Sequence, residues 1–102
     1  MEIQKLTDKY HLYEENGTYY LAFGAIKNGE DTTTKLLFTD VDSKSFEIKP
    51  TCQCTVGSKK IIDSTTVESE ISIKTSGAFS KTVILKNNNK ITLLKLVGTY
   101  IK

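Results

Sequence analysis

Apolar and polar residues alternate along much of this chain. From Thr34 to Thr39 one face carries Thr34, Leu36 and Phe38, and the other carries Lys35, Leu37 and Thr39. Phe46 and Ile48 alternate with Ser45, Glu47 and Lys49. From Val67 to Thr75, the residues Val67, Ile71 and Ile73 share one face with Ser69, a small polar exception. Glu68, Glu70, Ser72 and Lys74 take the other. A two-residue period marks a half-buried strand. The same period predicts a strand over 81–86, with Val83 and Leu85 inward and Ile84 on the opposite face. It predicts a long closing strand over 91–101, where Gly98 implies a bulge or a close backbone approach. Cys52 to Val56 reads as a short strand. No stretch keeps a helical period for three turns.

The breaks between these runs have turn chemistry. Asn16-Gly17 separates the aromatic-rich segment 9–13 and its acidic extension from Thr18–Phe23, and both turn residues accept positive φ, which predicts a tight hairpin. Asn28-Gly29-Glu30-Asp31, Asp40-Val41-Asp42-Ser43, the stretch 57–60, Ser76-Gly77 and Asn87-Asn88-Asn89 read as further turns. Pro50, the only proline, ends a strand, where a missing N–H is tolerated. Short strands with turns every 8–12 residues predict an all-β antiparallel sandwich of about seven to nine strands. The expected core is Leu36, Phe38, Phe46, Ile48, Ile71, Ile73, Val83, Leu85, Leu94 and Leu96.

Composition agrees with that fold. The chain has 102 residues, a single-domain length. Thr (14), Ile (10) and Val (5) dominate over 3 Ala, and β-branched side chains fit a pleated surface better than a helix. No apolar run is long enough for a membrane helix, so no membrane partner is expected. All 14 basic residues are Lys, interleaved with 12 acids for a net charge of +2. Without Arg, the usual bidentate reader of phosphate and guanine, a nucleic-acid role is disfavoured. The start of the chain lacks the basic-then-apolar order of a secretory signal, so the expected place of work is inside a cell or in a particle assembled there.

Three blocks carry a family resemblance. They are Phe23-Gly24-Ala25-Ile26-Lys27-Asn28-Gly29-Glu30, then Phe46-Glu47-Ile48-Lys49-Pro50-Thr51-Cys52-Gln53-Cys54-Thr55, then Gly77 to Leu85 with Leu96-Val97-Gly98-Thr99. In order and spacing they resemble the Bacteroidota immunoglobulin-like domain family of unknown function with a Cys-x-Cys-Thr signature. Gln53 stands where that family has Gly, and the Pro-Gly pair before the Val67 strand is absent. Asp40-Val41-Asp42 stands in place of an Asn-x-Gly. The resemblance covers residues 20–102 and implies an immunoglobulin-like domain there, with 1–19 as an N-terminal extension and first hairpin strand. In size, architecture and absence of a leader the chain also resembles auxiliary (decoration) capsid proteins of crAss-like bacteriophages. That resemblance implies a structural protein on the virion, assembled in the bacterial host cytoplasm. Its partner would be the major capsid protein or another repetitive protein surface, with self-association on the lattice. A cellular binding module of the same immunoglobulin-like family, exported or not, is the alternative.

Candidate chemistry is sparse. Cys52 and Cys54 would share one strand face, but a structural zinc wants four ligands and the chain has one histidine and no other cysteine. Two reduced packing thiols are expected, with no metal and no cofactor, and a metal- or redox-active pair is the third reading of the protein. A His11–cysteine dyad has no support from spacing. The acid pairs Glu14-Glu15, Glu30-Asp31 and Asp40/Asp42 lie in turns without a calcium-loop spacing. The sequon Asn16-Gly17-Thr18 is explained by the hairpin. With no phosphate loop, nucleophile elbow or histidine pair, no catalytic residue is assigned and no enzyme is expected. Four of the five tyrosines cluster on the first hairpin, and tyrosine is enriched at interfaces because it joins a large ring to a polar tip. Tyr10, His11, Tyr13, Tyr19 and Tyr20 are the expected partner-binding residues.

Overall fold

The computed structural model describes residues 1–51 and 55–101. Cys52 and Cys54, with every expectation attached to them, lie outside the described residues. The described residues form ten strands. These are β1 (Glu2–Lys5), β2 (His11–Glu15), β3 (Thr18–Lys27), β4 (Thr34–Thr39), β5 (Glu47–Pro50), β6 (Thr55–Gly57), β7 (Lys60–Asp63), β8 (Thr66–Ile73), β9 (Ala78–Asn87) and β10 (Lys90–Ile101).

They build a two-sheet sandwich. One sheet runs β1-β4-β8-β6, with β7 also paired to β8, and the other runs β2-β3-β10-β9-β5. β6 and β7 line the same edge of β8, one against Ile71–Ile73 and the other against Thr66–Glu68, so they act as one edge strand interrupted at Ser58–Lys59. Lys59 bridges that interruption to the β4–β5 loop by donating to the carbonyls of Ser43 and Phe46, at 3.1 and 2.8 Å. Every pairing is antiparallel except β3 with β10, which is parallel. β1, β4, β8 and β6 stand where strands A, B, E and D stand in an immunoglobulin domain, and β10, β9 and β5 where G, F and C stand. The fold is an immunoglobulin-like sandwich.

Alternation dictates the core. Leu36, Phe38, Val67, Ile71 and Ile73 of the first sheet meet Leu21, Val83, Leu85, Leu94 and Leu96 of the second, all essentially removed from water. Nine of the ten expected core residues are buried, and Ile48, on the edge strand β5, is half-buried. Phe46 enters the core just before β5, its ring 5.1 Å from that of Phe38. Ser69 is inward, as the pattern implies, and its Oγ has no hydrogen-bond partner among the described residues. Replacing Ile71 with valine should lower the unfolding free energy by about 0.5–1.5 kcal/mol. Its neighbour Glu70 faces water, 3.7 Å from Lys35 in a half-exposed ion pair. Glu70→Ala should therefore cost less than about 0.5 kcal/mol, both changes being read from urea titrations.

Residues 1–19 enter both sheets. β1 pairs with β4 and buries Ile3, while β2 pairs with β3 and forms an edge of the second sheet. β3 already begins at Thr18, so the strand crosses the expected boundary between extension and domain.

Candidate interaction surface

The β2–β3 hairpin is set by its turn. Asn16 and Gly17 take φ of 53° and 81°, and Glu15 pairs with Thr18 across them. Both central residues with positive φ give the turn whose twist matches paired strands. The register places Tyr13 opposite Tyr20 and His11 opposite Ala22.

Strand alternation then divides the five expected contact residues. His11, Tyr13 and Tyr20 point away from the core and form a stack. The His11 and Tyr13 ring centres are 5.4 Å apart at 26°, and those of Tyr13 and Tyr20 are 5.1 Å apart at 11°. Tyr13 is 37% exposed, high for so large a ring. Tyr10 and Tyr19 instead pack against the core. The Tyr10 ring lies 4.5 Å from that of Phe23, and its hydroxyl donates to Glu30 Oε2 at 2.7 Å. Loss of water raises the Tyr10 phenol pKa well above its ordinary value, and the Glu30 carboxylate raises it further. Desolvation, followed by Glu14 and Glu2, raises that of Tyr19. Neither phenol ionises near neutrality.

The same outer face continues across the sheet. Tyr20 lies beside Lys95, Ala22 beside Val97, and Leu93 beside Ile84. Val97, Leu93 and Ile84 are half-buried, and Ile91 is 60% exposed. The second sheet thus presents an aromatic stack on β2 and β3 beside an aliphatic strip on β9 and β10. Apart from Ile84, the sequence reading missed this strip. Its signal was the break in alternation at Leu93-Leu94 and Val83-Ile84-Leu85, where both faces carry apolar side chains.

At one end of the sandwich a cleft of about 410 Å³ lies between the loop 28–33 and residues 72–75 at the end of β8, with Tyr100 on its wall. Its carboxylates are already engaged. Glu30 accepts from Tyr10, which holds its carboxyl below the usual range, and the Thr33 N–H does the same for Asp31. Tyr100 donates to the Ile73 carbonyl at 2.6 Å. No residue lining the cleft is a histidine or a cysteine. Among the described residues no group of three or more His, Cys, Asp or Glu side chains converges to hold a metal.

The Tyr10–Glu30 bond gives a pH test. Glu30 has a depressed pKa in the folded state, so its contribution is present above its ordinary value of 4.5 and fades as pH falls below it. Tyr10→Phe should lower the urea midpoint at neutral pH, and the gap from the parent protein should narrow at about pH 3.

No family matches the chain in a scan of protein-family models, and no curated protein matches it.

Proposed function

We propose that this is a non-enzymatic structural accessory protein that docks on a repetitive protein surface through the outer face of its second sheet. The observation that carries the reading is the His11–Tyr13–Tyr20 stack, exposed at His11 and Tyr13 and half-buried at Tyr20, continuous with half-exposed Ile84, Leu93 and Val97. Aromatic rings with polar tips, beside an aliphatic strip, are the composition of a contact face rather than of a solvated one. A strand scaffold holds them in fixed positions, so little ordering cost falls on binding. The partner we favour is the major capsid protein of a bacteriophage shell, with the protein on the virion surface. A shell offers many identical sites, so a modest contact at each suffices for high occupancy.

Co-sedimentation with purified capsids tests this. The parent protein should pellet with the shells. Tyr13→Ser/Tyr20→Ser should stay largely in the supernatant while keeping its β-sheet circular dichroism. Equal occupancy by this variant would place the docking face elsewhere. Failure of the parent protein to bind any capsid would remove the shell reading. It would leave the same face to a cellular partner of an immunoglobulin-like binding module.

A further inference from the structure

The second sheet ends in β2, and the edge of β2 is open. Glu15 and Thr18 flank a two-residue turn, so they form a hydrogen-bonded pair, and the pattern alternates from there. His11, Tyr13 and Glu15 therefore direct their N–H and C=O groups to β3. Leu12 and Glu14 direct theirs outward, where no strand is paired among the described residues.

The other three sheet edges are blunted in ways that discourage pairing. β1 spans four residues, and its Lys5 amine is tied to the carbonyls of Lys9 and Tyr10. β5 also spans four residues and ends in Lys49-Pro50. The β6–β7 edge is interrupted at Ser58–Lys59 and shifts register between Ile61 and Asp63. β2 is one residue longer than β1 or β5 and is neither tied back nor interrupted. It contains no Lys, Pro or Gly, and its ladder to β3 runs without a register shift.

Its outward side chains are complementary to themselves. Along β2 the outer face reads His11, Tyr13, Glu15. Laid antiparallel on a second copy about Tyr13, each His11 meets Glu15 of the second copy, and Tyr13 meets Tyr13. Leu12 then stands opposite Glu14 of the second copy, so the outward backbone groups pair on both sides of the axis. The Tyr20–Tyr13 stack continues into the stack of the second copy. A two-fold axis perpendicular to the sheet keeps both outer faces on one side.

We propose that two copies of this chain pair antiparallel through their β2 edges, joining two five-stranded sheets into one continuous sheet with a shared tyrosine stack. This goes beyond docking on a shell and does not depend on it. It also presents two copies of the outer face together.

Sedimentation of the isolated protein over a concentration series tests the pairing without any capsid. The parent protein should show a monomer–dimer equilibrium. Glu14→Pro removes an outward N–H and leaves the ladder to β3 whole, so it should sediment as a monomer. His11→Glu sets like charges opposite each other twice and should weaken the dimer about tenfold. His11→Glu/Glu15→Lys restores opposite charges and should recover the parental constant, which a merely structural role for either residue would not produce. A parent protein that stays monomeric to about 1 mM overturns the proposal, as that is the weak limit of specific association. Unchanged association of folded Glu14→Pro, or no recovery in the double variant, also overturns it.

Discussion

Phe38→Ala is expected to remove about 3–5 kcal/mol of stability, the largest loss of any single side chain considered. Phe38 is fully buried on β4, pairs with Val67 across the sheet and lies against the Phe46 ring. Two terms add. The ring's transfer from water is lost, and a cavity remains because the surroundings relax only in part. Collapse is hindered here from both sides. Strand register fixes Leu36 and Val67, and the β4–β5 loop holds Phe46 through its N–H bond to the Asp42 carbonyl at 2.8 Å and its carbonyl bond to Lys59. A domain of this size has about 5–15 kcal/mol in total, so the variant should be close to its folding limit at 37 °C. Thermal and urea unfolding measure it. A loss under about 1 kcal/mol would mean that the Phe38 site is not tightly packed.

What was legible in the sequence follows from where one physical effect acted alone. β4 and β8 carry clean alternation because one side of their sheet faces the core and the other faces water, so both their identity and their register could be read. The hairpin was legible for a separate reason: Asn16-Gly17 satisfies a backbone requirement that few other pairs meet. β7 was not legible. Ile61 and Ile62 are both about half exposed, so Lys60–Asp63 has no apolar face to reveal it, and its strand conformation comes from the open edge of β8. The parallel pairing of β3 with β10 joins strands far apart in sequence, and neither strand's pattern encodes its neighbour.

The contact residues show the same division. Choosing the four tyrosines by type, with His11 among them, gathered five residues on one hairpin, but type does not say which way a ring points. Strand parity does for the β2 and β3 residues: Tyr13 and Tyr20 are cross-strand partners on the outer face, and Tyr19 falls on the other. Tyr10 precedes β2 and has a φ of 71°, so the strand's parity does not reach it. Its packing on Phe23 and its bond to Glu30 are tertiary facts.

Gly98→Ala should cost about 1–3 kcal/mol through overpacking, although the change adds a single methyl group. Gly98 sits on β10 at the one irregularity in the parallel ladder, where Val97 pairs with Ala22 and Gly98 with Gly24, leaving Phe23 as the extra residue. That bulge brings the two backbones together. A Cβ at position 98 would lie 2.9 Å from the Gly24 carbonyl oxygen, 3.0 Å from Phe79 Cζ and 3.1 Å from Phe23 Cβ. The first of these atoms is backbone within the ladder, and the other two belong to buried phenylalanine side chains, so none can swing aside into solvent. Relief requires β3 and β10 to separate, which strains the central pairing of the second sheet. Gly24 provides the control. Its φ is +67° but its surroundings are open, so Gly24→Ala is penalised by backbone conformation alone. Gly24→Asn, which tolerates that conformation better, should recover part of the loss, whereas Gly98→Asn should be worse than Gly98→Ala. Urea midpoints of the four variants separate the two causes. If Gly98→Ala unfolds with the parent protein, the bulge yields freely and the close approach of β3 and β10 does not constrain the fold.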